Sequence, residues 1–199
     1  ILEPRTNSRR ELMASVKYYA WGPLPPTELP GLVMGHDLYF LSRDDAGVAQ
    51  IWALGADGTP ARQITIEPRN VLDFAISPDG SQIAYSTGGS LIVANIDGTA
   101  GRELSPIVER PGAGAQPAWS PDGQLIAFVR DGIWIVPSIG GGRTELLTDS
   151  LAQDTPPDQV RVYLNPRWSP DGTRLLIDTG YYEGIGLSVL PITGGEALP

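Results

Sequence analysis

The chain of 199 residues contains no cysteine and a single histidine, His36. The absence of cysteine excludes disulfide scaffolds, cysteine-based zinc sites and thiol catalysis. One histidine argues against histidine-based metal clusters and against most general-base schemes. No apolar run approaches the 18 residues that a membrane-spanning helix requires, and this sequence contains no signal peptide.

Basic residues are also scarce: 14 lysines and arginines stand against 23 aspartates and glutamates, a net charge of -9. This balance argues against nucleic acid as a partner, because phosphate binding needs a basic surface. The hydrophobic fraction of 41% fits a folded globular protein. The 24 glycines and 19 prolines indicate a fold rich in turns.

Residues 1–30 differ from the rest of the chain, and we interpret them as an arm or linker. They carry four basic and three acidic side chains. Four prolines between residues 21 and 30 predict an extended connector. Ser8 and Glu11 form a capping-box pattern that predicts a short helix over residues 8–20.

The strongest pattern is an internal repeat with a period of 43 to 49 residues. Three copies contain the sequence Ser-Pro-Asp-Gly, beginning at Ser77, Ser120 and Ser169. In this sequence proline sets φ for a turn, and glycine takes the left-handed position at no steric cost. A fourth, degenerate copy upstream has Gly35 at the glycine position.

An apolar triplet, a third apolar strand, a glycine and a short fourth strand follow each turn. The triplets are residues 38–40, 83–85, 126–128 and 175–177; the third strands are 51–54, 91–94, 133–136 and 187–190; the fourth strands lie near 63–65, 103–105, 146–148 and 197–198. Short strands separated by turns predict four-stranded antiparallel meanders. A sheet that is apolar on both faces must stack on others, and a stack wrapped around an axis is a β-propeller.

The repeat resembles that of TolB-type β-propellers, also called WD40-like or PD40 repeats, in its Trp-Ser-Pro-Asp-Gly, Ile-Ala-Phe, Ile-Trp-Ile-Val, Gly-Gly and Leu-Leu-Thr segments. Propeller domains of prolyl-oligopeptidase-like and tricorn-type peptidases have a similar pattern. The resemblance covers about residues 27–199 and implies an all-β fold, a β-propeller of four-stranded antiparallel blades. Such relatives have six to eight blades, so four repeats predict a partial or small propeller.

The predicted domain organisation is an arm followed by four repeats. The repeats span about residues 31–65, 66–105, 106–148 and 149–199. An open arc would expose the apolar faces of its end blades. A longer chain, a closed four-bladed ring and self-association of two chains are three ways to cover those faces.

The repeated turn residues are the first candidates for chemistry: Ser77, Ser120, Ser169, Asp79, Asp122 and Asp171. No base neighbours the serines, and the Gly-x-Ser-x-Gly nucleophile motif is absent. Turn formation explains the aspartates without a metal ion. We therefore predict no catalytic, cofactor-binding or metal-binding residues, and no enzymatic activity for this chain by itself.

The remaining single candidates have structural interpretations. We expect His36 to be a polar surface residue. The strand tryptophans are expected to pack in the core or between blades: Trp52, Trp119, Trp134 and Trp168.

Three segments interrupt the repeat, at residues 42–50, 149–165 and 179–186. Function in propellers is commonly located in such loops. Adjacent tyrosines combine apolar area with polar tips, a composition typical of protein interfaces. The predicted partner-binding residues are Tyr181, Tyr182, Glu183, Asp44, Asp45, Arg161 and Tyr163.

These observations favour a non-enzymatic protein-binding or scaffold propeller that presents its loops to a protein partner. TolB-type relatives work this way in envelope complexes, so the resemblance implies an extracytoplasmic, periplasmic or cell-surface location. One alternative is a propeller segment of a peptidase whose catalytic domain is not in this chain. Another is a structural subunit of a larger assembly, tethered by the arm.

Overall fold

The computed structural model describes residues 19–21, 37–56, 58–106, 115–148, 161–181 and 184–194. Every strand in these ranges belongs to one of four antiparallel sheets. The strands are β1 (Tyr19–Trp21), β2 (Leu38–Arg43), β3 (Ala49–Leu54), β4 (Arg62–Gln63), β5 (Val71–Ile76), β6 (Gln82–Thr87), β7 (Ser90–Asn95), β8 (Arg102–Pro106), β9 (Ala118–Trp119), β10 (Leu125–Val129), β11 (Gly132–Pro137), β12 (Thr144–Thr148), β13 (Val162–Trp168), β14 (Arg174–Tyr181) and β15 (Gly184–Pro191).

Each sheet is a meander in which strands adjacent in sequence are adjacent in space. We call them blade 1 (β1–β4), blade 2 (β5–β8), blade 3 (β9–β12) and blade 4 (β13–β15). The predicted all-β fold is confirmed, and its architecture is that of a partial β-propeller. The fourth strand predicted near residues 197–198 lies outside the described residues. The chain divides into two compact units, residues 1–71 and 72–199.

The Ser-Pro-Asp-Gly turns have one hydrogen-bond pattern in three copies. In blade 3, the Ser120 hydroxyl donates to Asp122 Oδ1 over 2.6 Å and accepts the Leu125 N–H over 2.9 Å. The Ser120 N–H donates to the Leu125 carbonyl, and Gly123, at φ 70°, donates to the Ser120 carbonyl. The same bonds recur from Ser77 and from Ser169. The structural interpretation of these serines and aspartates is therefore supported.

The first strand of blade 1 lies within the segment predicted as an arm. Trp21 pairs with Leu38, seventeen residues later. The equivalent pairs, Trp119 with Ile126 and Trp168 with Leu175, are only seven residues apart. The connection in blade 1 is therefore ten residues longer, and it takes the place of the short turn.

This pairing corrects two expectations about the amino-terminal segment. Tyr19 and Ala20 are in a strand, so the helix predicted over residues 8–20 does not include them. The rest of that helix, the proline-rich residues 22–30 and His36 lie outside the described residues.

A buried glutamine organises the interior of blade 1. The Gln50 side chain is fully buried, and its Nε2 group donates to the Glu67 carbonyl over 2.8 Å. Its Oε1 atom accepts hydrogen bonds from the Thr65 hydroxyl and the Glu67 N–H. Because each polar atom has a partner, this burial avoids the cost of an unsatisfied amide.

Two apolar clusters join blades 2, 3 and 4. We call the side of a blade that meets the preceding blade its front face, and the opposite side its back face. The first cluster joins the back face of blade 2 to the front face of blade 3, and the second joins blades 3 and 4. The first includes Ala84, Leu91, Val93, Trp119, Ile126, Phe128 and Val136, and the second includes Ala127, Val129, Ile133, Leu175, Ile177 and Leu190.

Tryptophan indoles add a directional bond to each of these interfaces. Trp119 Nε1 donates to the Ala75 carbonyl of blade 2 over 3.1 Å, and Trp168 Nε1 donates to the Ala118 carbonyl of blade 3 over 2.9 Å. Trp119 is 9% exposed, and Trp134 packs against the same cluster. The prediction of core or inter-blade packing is confirmed for Trp119, Trp134 and Trp168. Trp52 is half-buried, and its Nε1 donates to the Ser42 carbonyl within blade 1 over 3.2 Å.

A second directional contact repeats four residues before each turn serine, at Asp73, Gln116 and Asn165. The Gln116 N–H donates to Asp73 Oδ2, and the Asn165 N–H donates to Gln116 Oε1, each over 2.8 Å. Gln116 and Asn165 have φ values of 47° and 51°. This left-handed conformation is unfavourable for residues other than glycine, and here it aims each N–H at the preceding blade.

We predict that the turn aspartates stabilise the fold in a pH-dependent way. The serine hydroxyls lower the pKa of Asp79 and Asp122, and that of Asp171 to about 2. Because the folded pKa values lie below the usual 3.8, this stabilisation is complete above that pH and is lost as the pH falls towards about 2. Replacing all three with asparagine should flatten the decline in the free energy of unfolding over this window. Urea unfolding followed by tryptophan fluorescence measures it, and an unchanged slope would contradict the prediction.

We also predict that the inter-blade indole bond contributes measurably to stability. Trp168→Phe keeps an aromatic ring but leaves the Ala118 carbonyl without its partner. We expect the free energy of unfolding to fall by about 1–2 kcal/mol. Chemical denaturation at neutral pH is the measurement. A loss below about 0.3 kcal/mol would mean that water replaces the indole at that carbonyl.

Candidate interaction site

The hairpin formed by β14 and β15 is longer than its equivalents in blades 2 and 3. In blade 3 the ladder of β10 and β11 ends at the pair Val129–Ile133. The equivalent pair in blade 4 is Asp178–Leu187, and three further pairs follow, ending at Tyr181–Gly184. At roughly 3.4 Å per residue, the extension is about 10 Å long. We call residues 178–187 the blade 4 hairpin.

Two contacts hold the base of this hairpin. The Thr179 hydroxyl donates to the Ser188 hydroxyl over 2.9 Å, and both side chains are buried. Gly180 pairs with Val162 of β13, and a Cβ atom on Gly180 would overlap the Val162 side chain. The glycine therefore permits the close approach of β13, which supports the hairpin from one side.

The hairpin carries large apolar side chains in solvent. Ile185 is 77% exposed and Leu187 is 58% exposed, and both project from the same face of β15. Tyr181 is the last residue of β14, whereas Tyr182 and Glu183 lie outside the described residues. The structure thus places one of the three predicted tyrosine-loop residues at the end of a strand beside exposed apolar residues.

All three predicted loops are in fact partly strand. In the 42–50 segment, residues 42–43 belong to β2 and residues 49–50 to β3. Residues 179–181 and 184–186 belong to the blade 4 hairpin, because β13 and the Thr179–Ser188 contact support their pairing. The end of the segment predicted as a 149–165 connector is β13. Its Tyr163 is half-buried and packs against the cluster between blades 3 and 4, and Arg161 is also half-buried. Tyr163 is therefore a packing residue rather than part of a loop surface.

The predicted pair Asp44 and Asp45 lies on the β2–β3 loop of blade 1. Asp44 Oδ1 accepts the N–H groups of Ala46 and Val48, each over 2.9 Å. This carboxylate therefore shapes its own loop, as in an Asx turn. Asp45 is exposed at the loop tip, and its role in partner binding stays a prediction.

The sequence interpretation missed a buried carboxyl group at the joint between blades 2 and 3. Burial raises the pKa of Asp73, and hydrogen bonds from the Ser86 hydroxyl and the Gln116 N–H oppose that shift. A raised pKa at an enclosed carboxyl is a common mark of functional sites. Here both oxygens have partners within the fold, so the inter-blade joint accounts for the residue. In the sequence, the position of Asp73, four residues before the turn serine, is the one feature that could have indicated this residue.

A cleft of about 390 Å³ separates the turns of blades 3 and 4. Its volume is within the usual range of small-ligand sites. Apolar side chains line it, with two turn carboxylates beside them: Pro121, Leu125, Trp168, Pro170, Ile192, Asp122 and Asp171. The carboxylates accept hydrogen bonds within their own turns, and Ser120 is committed to the same turn.

Metal-ligating side chains do not converge in the described part of the chain, where no three His, Cys, Asp or Glu residues form a group that could hold an ion. The same ranges contain no helix that is long and apolar enough to cross a membrane.

Comparisons with known proteins identify the fold. No protein-family model and no curated protein matches this sequence. Among solved structures, the chain is similar to the putative TolB from Agrobacterium tumefaciens, with a TM-score of 0.64 and 17% identity, covering 82% of this chain and 60% of that one. For TolB from Acinetobacter baumannii the TM-score is 0.61 and the identity 15%, covering 80% of this chain and 40% of the other.

An enzyme is also among the similar structures. The oligogalacturonate lyase from Vibrio parahaemolyticus has a TM-score of 0.53 and 15% identity, covering 78% of this chain and 46% of the lyase. The chain thus spans about 40–60% of the length of these proteins. At such identities the similarity concerns the fold, and that fold is a TolB-like β-propeller.

Proposed function

We propose that this chain is a non-enzymatic β-propeller that binds a protein partner through the blade 4 hairpin. The observation that carries the proposal is the three-pair extension of this hairpin together with the exposure of Ile185. A strand ladder that extends beyond those of neighbouring blades can be reached by a partner without rearranging the blades. Covering Ile185, which is 77% exposed, would contribute favourably to the free energy of binding, because apolar area is removed from water.

The composition of the hairpin supports a protein as the partner. In the sequence, two adjacent tyrosines and a glutamate at residues 181–183 come shortly before Ile185. Protein interfaces combine aromatic and aliphatic centres with a polar rim. Small-molecule sites are typically concave and bury most of the ligand, whereas Ile185 and Leu187 are largely exposed to solvent.

The absence of enzymatic activity is part of the proposal. The hydroxyls of the repeated serines donate to turn aspartates, and the lowered pKa of these aspartates makes them weak bases. Those aspartates in turn accept main-chain N–H groups. The repeated residues whose side chains could take part in catalysis therefore have structural roles that explain their presence.

An extracytoplasmic location is also proposed. It is supported by the TolB-like fold, because the resemblance to TolB-type propellers implies an envelope role, and by the lack of cysteine, which is compatible with that compartment. Fractionation of source cells with an antibody against the chain tests it, and recovery in the cytoplasmic fraction alone would contradict it.

Site-specific photo-crosslinking tests the hairpin as the partner-binding surface. A photoreactive phenylalanine analogue at Ile185 should give a discrete crosslinked species in source cells. The same analogue at Ile139, which is 84% exposed on the turn after β11, is the matched control and should give none. Equal products at both positions, or none at Ile185, would contradict the proposal.

Substitutions in the hairpin separate binding from stability. Changing Tyr181 and Tyr182 to alanine together with Ile185→Asp should reduce capture of the crosslinked partner by about tenfold or more. The melting temperature should change by no more than about 2 °C, because surface substitutions away from the core have small effects. If these changes instead lower the melting temperature strongly, the residues are structural and the proposed surface is wrong.

A further inference from the structure

The cleft between the turns of blades 3 and 4 has an apolar wall that the corresponding joint between blades 2 and 3 lacks. Leu125 lines the cleft, and Gln82 holds its position in blade 2, because each donates its N–H to the hydroxyl of its turn serine. Ile192 also lines the cleft, and Ser138 holds its position in blade 3, because each N–H bonds to the carbonyl of the residue after the turn glycine. The cleft thus has two aliphatic side chains where the earlier joint has two polar ones.

An indole and two proline rings extend this apolar lining. Trp168 is half-buried, and its Nε1 group already donates to the Ala118 carbonyl over 2.9 Å. Ring carbons are therefore what Trp168 offers to a ligand. Pro121 and Pro170 line the same cleft and are exposed. An aliphatic stem packs well on such surfaces, and a cation is attracted to an indole ring.

Asp122 and Asp171 add negative charge to the cleft, and both are exposed. Within the described residues, the hydrogen bonds that other residues donate to these two carboxylates end on Oδ1, which leaves Oδ2 for a ligand. In blade 2, by contrast, Asp79 Oδ2 accepts the Ser81 hydroxyl over 2.8 Å. The serine hydroxyls lower the pKa of Asp122 and Asp171, so both side chains are ionised at neutral pH.

No arginine in the described ranges forms an ion pair with either carboxylate; the ion pair found there joins Arg62 to Asp37 in blade 1. Arg174 has a small electrostatic effect on Asp171 without pairing with it. The positive charge that balances the cleft carboxylates must therefore come from solvent or from a ligand.

The chemistry of the cleft favours an organic cation over a metal ion or a neutral ligand. Its volume of about 390 Å³ is within the range of small-ligand sites. A calcium ion takes about six to eight oxygen ligands, whereas most of this lining is carbon. A neutral apolar ligand would cover the wall but would leave both carboxylates without a counter-charge.

We propose that this cleft binds a guanidinium or ammonium group carried on a short apolar stem. Asp122 and Asp171 hold the cation, and Trp168, Leu125 and Ile192 cover the stem. An arginine or lysine side chain of another protein and a free alkylamine share this chemistry.

The cleft is separate from the partner surface of the blade 4 hairpin. Arg174 begins β14 next to the cleft turn, and Gly180, which pairs with Ile185, lies six residues further along the strand. At 3.4 Å per residue the two places are roughly 20 Å apart. Failure of either proposal therefore leaves the other standing.

A titration followed by the indole N–H signals in two-dimensional ¹H–¹⁵N NMR tests the site, with the Trp168 signal identified by its loss in Trp168→Phe. The probes are N-acetyl-arginine amide, which represents a protein side chain, and pentylamine, which represents a free amine. At least one should shift the Trp168 signal with a dissociation constant of about 1–10 mM, as expected for ligands of this size. N-acetyl-citrulline amide and pentanol, the uncharged counterparts, should bind at least about tenfold more weakly, because they lack the cation.

A matched pair of variants tests the role of the carboxylates. Asp122→Asn combined with Asp171→Asn keeps an oxygen for each turn but removes the charge, and the dissociation constant should rise about tenfold or more. Asp79→Asn makes the same change in the blade 2 turn, which does not line the cleft, and should leave binding unchanged. Circular dichroism verifies folding, and Asp122→Asn alone replaces the double variant if the latter unfolds.

Three results would overturn the proposal. If neither probe shifts the Trp168 signal, the cleft does not bind such a cation. If the uncharged counterparts bind as well as the cations, the carboxylates do not recognise the ligand. If Asp79→Asn weakens binding as much as the cleft variant, the effect comes from the turns in general and not from this site.

Discussion

In blades 2, 3 and 4, a single serine hydroxyl determines where the next strand begins. In blade 3 the Ser120 hydroxyl donates to Asp122 and accepts the Leu125 N–H, so the end of β9 and the start of β10 are fixed at once. Trp119, the residue before the serine, is then held opposite Ile126. The identical turn in blade 4 places Trp168 opposite Leu175. The inter-blade bonds repeat because this turn repeats.

Two kinds of contact join the blades, and they have different roles. The apolar faces supply most of the stabilisation, since apolar burial is roughly proportional to area and has no preferred direction. The indole and main-chain hydrogen bonds have fixed geometry, so they determine which residues face each other. The left-handed conformations of Gln116 and Asn165 show that the fold accepts local backbone strain to keep these bonds.

The sequence was informative wherever the turn motif is intact. The position of the turn motif predicts the apolar triplets and the third strands. It also predicts the packing of Trp119, Trp134 and Trp168. It was uninformative at Tyr19–Trp21, because a connection ten residues longer replaces the motif there. The joint residues Asp73, Gln116 and Asn165 share a position but not an amino-acid type, so no repeated letter marks them.

The hairpin of blade 4 shows a different limit of sequence reasoning. Glycines and tyrosines at residues 179–186 have the composition of a loop, but pairing depends on what lies beside them. The close approach of Val162 to Gly180, and the hydrogen bond from Thr179 to Ser188, come from β13 and from the middle of β15. Such tertiary support cannot be deduced from the segment itself.

The joint at Asp73, Gln116 and Asn165 has a consequence for how this protein can change over evolutionary time. A side-chain oxygen of one blade accepts a main-chain N–H of the next, so the incoming residue needs a main-chain N–H in the left-handed conformation and a side-chain oxygen for the blade that follows. Loss or duplication of a complete repeat would bring an equivalent N–H to an equivalent oxygen. The whole blade, rather than the strand, is therefore the natural unit of insertion and deletion, and blade number can vary while each joint is preserved.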